Sequence, residues 1–336
     1  MKAAIKPRIN LQNRTALQEV IPLSTPMVLF VDPASVCNFK CKFCPTADDE
    51  LIRQTGRHQG LLDFDLYKKC IDDLAGFDKP LKVLRLYKEG EPLLHPRFAD
   101  MVRYARQSGH VEYIDTTTNG SLLTPERIDA ILDAGIDRIN LSVDGISTEM
   151  YREFTRTAVD FDRFVENLGY LYANKGECEI CVKTVGDILS EEEKTRFYDI
   201  FGNISDRIFI ENIAPCWPGF DVEQAMGIEI KEGIYGQAIT EVQVCPYIFY
   251  SMALNSDGSV SLCFLDWGRK LLVGDARTES IREIWQGRPM RRHQLTHLRG
   301  ERKQDPICAG CGQLSHCLPD NIDPYASLLL ERLNGK

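Results

Sequence analysis

Three cysteines fall within eight residues, Cys37-Asn-Phe-Lys-Cys41-Lys-Phe-Cys44, directly after a short apolar run, Val28–Val31, that reads as a strand. A C-x3-C-x2-C spacing folds into a compact loop that can turn three sulfurs inward. Three thiolates leave one position of a four-iron cluster unfilled, and an open position is what catalysis at a metal requires. The rival readings are a zinc site and a set of buried structural thiols. Zinc asks for a fourth close ligand, and no His or Cys follows nearby. The whole chain of 336 residues holds 12 cysteines. They are too few for a disulfide scaffold and too clustered for chance, and in a reducing compartment such thiols bind metal or do chemistry.

The rest of the chain places that loop. Strand-like runs at Val28–Val31, Leu81–Tyr87, Val111–Thr116, Arg138–Val143, Glu179–Val185 and Arg207–Ile210 alternate with helical spacings at Phe64–Leu74, Phe98–Tyr104, Pro125–Ala134, Phe161–Ala173 and Glu191–Phe201. Thr124 before Pro125, and Ser190 before Glu191, are N-cap signals. About six β/α units imply a parallel sheet with right-handed crossovers. Periodicity leaves a doubly wound sheet and an open partial barrel as alternatives. In either, the active site lies at the C-terminal ends of the strands, where the cysteine loop stands.

After Pro215 the alternation stops. Five segments are expected: an extension over 1–27, the β/α unit over 28–215, a linker over 216–237, a small second domain over 238–318, and a tail over 319–336. In the second domain Asn255-Ser256-Asp257-Gly258 between two apolar runs signals a hairpin. With 43% hydrophobic and 26% charged residues the chain can bury a full core. A net charge of −9 argues against a general nucleic-acid binder. No apolar run approaches the roughly 18 residues of a membrane span. The start, MKAAIKPRINLQ, lacks the apolar core of a secretory signal, so the expected compartment is the cytoplasm.

The cysteine loop, down to Phe43 before its third thiol, resembles the signature of the radical S-adenosylmethionine (radical SAM) superfamily. Lys88-Glu89-Gly90-Glu91-Pro92 resembles the family's Gly-Gly-Glu-Pro motif, with Glu89 in place of the first glycine. Thr116-Thr-Thr-Asn119-Gly120 and Ser142-Val-Asp144-Gly145 resemble segments that line the SAM pocket at later strand ends. The resemblance covers residues 28–215 and implies an open partial (β/α)6 TIM barrel. It implies that Cys37, Cys41 and Cys44 hold a [4Fe–4S] cluster and that SAM chelates its fourth iron. Reductive cleavage of SAM then gives a 5′-deoxyadenosyl radical. It assigns Phe43, Gly90, Glu91, Pro92, Asn119, Ser142 and Asp144 to cofactor binding, with Lys183 and Ile213 as further pocket positions. The bland reading of the Asn-Gly and Asp-Gly pairs is ordinary turn chemistry.

A second set, Cys245, Cys263, Cys308 and Cys311, brackets the hairpin and ends in C-x2-C. By spacing it suits a zinc ribbon or a fully ligated iron–sulfur cluster. It resembles the C-terminal extension of SPASM and twitch radical SAM enzymes. Position 321 is Asn where the longer SPASM pattern has a cysteine, so the resemblance implies a single auxiliary [4Fe–4S] cluster. Cys317 is the rival for one corner.

An auxiliary cluster makes a two-electron oxidation possible, so the resemblance points toward the dehydrogenase and oxidative cross-linking branches, and among twitch enzymes the chain is similar to those that oxidise a secondary alcohol of an aminocyclitol. The expected partners are a small sugar or aminocyclitol, with a nucleotide-linked form as the alternative given the seven basic residues between Arg282 and Lys303, and a flavodoxin or ferredoxin-type electron donor. The alternative is a peptide-modifying maturase or a radical epimerase, with Cys216 past the sixth strand donating a hydrogen atom. Cys70, Cys178 and Cys181 read as core thiols.

Overall fold

The computed structural model describes residues 1–9 and 14–335. Its ten strands are β1 (Ala4–Ile5), β2 (Val28–Val31), β3 (Leu81–Leu86), β4 (Val111–Thr118), β5 (Arg138–Ser142), β6 (Glu179–Val185), β7 (Arg207–Glu211), β8 (Ser251–Leu254), β9 (Ser259–Ser261) and β10 (Leu272–Asp275). They form one sheet in the order β1-β7-β6-β5-β4-β3-β2-β8-β9-β10. Strands β2 to β7 are parallel and sit in sequence order. Every crossover therefore steps the same way and the helices gather on one face. A doubly wound sheet would reverse its order at a switch point. The arrangement is an open, six-stranded partial barrel.

Each strand sorts its side chains with the period of two that a pleated backbone imposes. Leu29, Val31, Leu84, Leu86, Ile114, Leu141, Ile180 and Ile208 are fully buried in the core shared with the helices. Phe30, Arg85, Asp115, Ser142, Lys183 and Glu211 alternate with them and face the lumen. The lumen is thus polar and the outer layer dry. Local signals start the helices where the sequence places them. Asp63 accepts from the Leu66 amide, Thr124 from the Arg127 amide, and Ser190 and Glu193 form a reciprocal capping box.

Three features depart from the sequence-based expectations. The segment before Val28 is more than an extension, since Ala4 and Ile5 pair in parallel with Arg207 and Ile208 on the open edge of the barrel. Residues 216–237 contain a helix, Val222–Met226. Beyond Trp285 the chain forms a further helix, Arg288–Leu298, which buries Met290, Gln294, His297 and Leu298.

The hairpin of β8 and β9 is antiparallel, and β8 also pairs in parallel with β2, Val28 opposite Ser251 through Val31 opposite Leu254. The C-terminal region is therefore continuous with the barrel sheet. Among the described residues no helix is long and apolar enough to cross a membrane.

Candidate active site

The loop carrying Cys37, Cys41 and Cys44 is stitched to the barrel on three sides. The amides of Lys40 and Lys42 donate to the carbonyls of Thr155 and Phe154 at 2.9 Å each. The side chain of Asn119, past β4, donates to Asn38 at 2.9 Å, and Asn38 donates to Ser121 at 2.9 Å. The Glu91 amide donates to the carbonyl of Val36 at 3.0 Å. A Cβ at Gly90 would lie 2.2 Å from the carbonyl oxygens of both Ala34 and Val36, so only glycine permits this approach.

All three thiols line one cleft of about 180 Å3 at the C-terminal ends of the strands. Phe43, Gly90, Glu91, Asn119, Ser142, Asp144 and Lys183 line it too, so seven of the nine expected cofactor-binding positions converge there. Pro92 and Ile213 do not. Pro92 is buried in the turn after Glu91. Ile213 is buried, and its amide donates to Asp187 at 2.6 Å.

The carboxylate of Glu91 is engaged inside the protein. It accepts from the Thr118 hydroxyl at 2.6 Å and from the amides of Asn119 and Leu93 at 2.8 and 3.0 Å. Burial pushes this carboxyl up to about 7, against those bonds. The Glu91 side chain thus ties the segment after β3 to the end of β4. Burial likewise raises Asp144 to about 6, against the hydrogen bond from Cys41 at 3.5 Å and the nearby Lys183. Lys183 itself pairs with Glu211 at 2.6 Å.

Glu89, which takes the place of a glycine in the resembled motif, sits in a buried charge network. Its carboxylate pairs with Arg57 and Lys88, and lies 3.7 Å from Arg269 of the C-terminal region. Arg269 lies 3.5 Å from the buried Asp32 and pairs with Asp257 at 2.6 Å. Sequence reading did not find this network. Its members come from five separate segments, and a charge run on one segment carries no sign of its partners.

The second thiol set also comes together. Cys245, Cys263, Cys308 and Cys311 line one small pocket walled by Ile248, Leu262, Leu271 and Leu314. Burial pushes Cys245 and Cys308 up to about 12, and for each the Cys311 sulfur is a further raising influence. Cys317 does not line that pocket; burial raises its thiol, and the Cys216 sulfur is the next influence. Cys216 is half-buried where the barrel meets the C-terminal region, its carbonyl 4.0 Å from the Cys311 sulfur. A Cβ at Gly312 would lie 2.4 Å from the Pro215 carbonyl, so the same junction needs a second glycine.

The donor chemistry of both sets fits iron–sulfur clusters. Buried thiols whose proton affinity is raised this far are stable as thiolates only beside a strong cation, and a bound metal deprotonates its thiol ligands. Among the described residues no three Cys, His, Asp or Glu side chains converge closely enough to grip a single ion.

Known proteins with the same features bear on this geometry. A profile described as the Radical SAM superfamily matches residues 31–197, and one described as an iron–sulfur cluster-binding domain, SPASM, matches residues 245–312. The AdoMet-dependent heme synthase of Methanosarcina barkeri is 23% identical over 338 aligned positions, covering 86% of this chain and 91% of that protein. The structure of BtrN in complex with AdoMet and 2-DOIA superposes with a TM-score of 0.57 at 17% identity, over 88% of this chain and 97% of that one. SuiB of Streptococcus suis, bound to precursor peptide SuiA, superposes with a TM-score of 0.61 at 17% identity, over 93% of this chain and 75% of that one. The chain is a radical SAM enzyme with a C-terminal SPASM-type iron–sulfur domain, and its cofactors are S-adenosylmethionine and [4Fe–4S] clusters.

Proposed function

We propose that this enzyme oxidises a secondary alcohol of a small polyhydroxylated molecule, a sugar or aminocyclitol, to the ketone. Cys37, Cys41 and Cys44 hold the SAM-binding cluster, and Cys245, Cys263, Cys308 and Cys311 hold one auxiliary cluster. When bound, these groups supply a carbon radical that removes one hydrogen atom from substrate and an acceptor for the one electron left behind. The chain's own part is to hold the substrate in the polar lumen between the two thiol sets.

The observation that carries the reading is how near the second set stands to that lumen. Phe264, next to Cys263, stacks on the lumen-facing Phe30 with ring centroids 4.5 Å apart. Phe30 in turn meets Tyr87 edge-on at 5.8 Å. The N-terminal segment supports a small substrate. It covers the open edge through β1 and sends Arg8 into the lumen, where its guanidinium donates to Tyr87 and Thr117. A small molecule fits the space that remains better than a threaded peptide does. Lys183, Glu211, Asp115 and Thr117 offer hydroxyl-binding groups there.

The test is anaerobic turnover with SAM, dithionite and a panel of polyols, read by mass. One ketone per 5′-deoxyadenosine supports the reading. In D2O, an epimer of the substrate one mass unit heavier, carrying one solvent deuterium at carbon and lost in Cys216→Ala, would replace it with epimerisation.

A further inference from the structure

An oxidation that starts by removing the carbinol hydrogen needs a second event, loss of the hydroxyl proton. We propose that Tyr87 is the group that accepts that proton; this rests on the alcohol-oxidation reading. Tyr87 lies one residue past β3, in the lumen, just before the Lys88–Pro92 motif. Its oxygen accepts hydrogen bonds from two guanidiniums, Arg8 at 2.6 Å and Arg85 at 2.8 Å. Two charged donors occupy the two lone pairs of a phenol, and the hydroxyl proton finds no acceptor among the described residues. The arrangement suits a phenolate.

The charge around it agrees. Arg85 has a loose carboxylate neighbour, Asp115 at 3.9 Å. Among the described residues Arg8 has no carboxylate within 4 Å, and its buried Nε has no hydrogen-bond partner. The Tyr87 oxygen is thus the nearest counter-ion that Arg8 has. The groups facing the phenol are Arg8 from the N-terminal segment, Arg85 from β3 and Asp115 from β4. Glu211 and Tyr235 act on Arg8 from further off. Burial alone would push the phenol up, but the two guanidiniums more than offset it, so Tyr87 lies below its ordinary value. The position also suits substrate contact, since Arg8 bridges Tyr87 to Thr117 at 3.4 Å and Thr117 lines the cleft.

The step balances simply. Once the carbinol hydrogen atom has gone, the substrate O–H bond breaks and an O–H bond forms on Tyr87. No electron moves in this step, and the substrate is left as a ketyl radical anion that gives its single electron to the acceptor named above. Between turnovers the phenol returns the proton to water.

Two measurements on the holoenzyme test this. The first needs no substrate: 13Cζ-tyrosine labelling, with the Tyr87 resonance assigned by its loss in Tyr87→Phe. Tyr87 should ionise at a proton concentration ten-fold or more above that of ordinary tyrosines, near pH 10, and Arg8→Met should abolish the difference. If Tyr87→Phe does not fold, difference absorption of the wild type in the tyrosinate band should show one phenolate below the ordinary range. A Tyr87 that stays a phenol up to the ordinary range overturns the proposal, whatever the substrate proves to be.

The second uses a polyol deuterated at the reacting carbon. In Tyr87→Phe the ratio of deuterated 5′-deoxyadenosine to ketone should rise from one to about ten or more, because losing a general base costs about 10²–10⁴-fold in its own step. A ratio that stays at one with undiminished ketone overturns the role of Tyr87. If wild-type enzyme oxidises no polyol, the first measurement still decides the state of Tyr87 and the alcohol reading falls separately.

Discussion

The carbonyl of Val36, the residue before the first cysteine of the loop, accepts the Glu91 amide at 3.0 Å and would stand 2.2 Å from any Cβ placed on Gly90. The thiol loop and the motif after β3 therefore touch backbone to backbone. Gly90→Ala should push them apart. Overpacking of this kind costs about 1–3 kcal/mol, read by urea unfolding. Because the strain falls on the thiol loop, reconstituted iron should drop from about eight to about four per chain.

The thiol ligands can be told apart by the same count. Cys245→Ala combined with Cys263→Ala should leave about four iron per chain, those of the SAM-binding cluster, while Cys317→Ala should keep about eight. Loss of iron in Cys317→Ala would move one corner of the auxiliary site to that residue.

Asp32 is wholly buried, and among the described residues neither of its carboxylate oxygens has a hydrogen-bond partner. Burial first, and the neighbouring Glu89 second, push its carboxyl up to about 7. The unfolded chain releases this proton near pH 4 and the folded one only near 7, so stability falls as pH rises through that window. Asp32→Asn removes the penalty. It should be more stable than wild type by on the order of 2 kcal/mol at pH 8 and by much less at pH 5, read from urea midpoints at the two pH values.

His297 gives the opposite slope. It is buried beside the second thiol set, and burial, reinforced by Arg302, pushes its imidazole down to about 3. An unfolded histidine takes up a proton near 6.5 and the folded one refuses it, so stability is lost as pH falls below 6.5. The slope is about 1.4 kcal/mol per pH unit. His297→Gln should flatten it between pH 6.5 and 5 in the same unfolding assay.

The two cysteine sets, and the strand end that the first of them follows, were legible because spacing and periodicity are local properties. So were the caps at Thr124 and Ser190. Strand β4 runs two residues further than its pattern suggests. Thr117 and Thr118 lie past the strand-like run that ends at Thr116, yet they pair with Asn140 and Leu141. The helix Arg288–Leu298 was hidden by its charge, since Met290, Gln294, His297 and Leu298 are the residues it buries. Arg8 could not be found by any local rule. A two-residue strand has no period, and its place against β7 is set by an edge some 200 residues further along the chain. Glu89 was visible only as a departure from a motif; its meaning lies in Arg57 and Arg269, which sequence does not bring near it.

The shared ladder between β2 and β8 limits how this chain can be taken apart. Ending the polypeptide ahead of the hairpin would bare Val28–Val31 as a raw sheet margin, with amides seeking another chain. Grafting a different C-terminal module onto the barrel would have to supply a strand in the same register, Ser251 opposite Val28. Cutting the protein in two is therefore an invitation to aggregate, and swapping its far end is a problem of strand matching before it is one of chemistry.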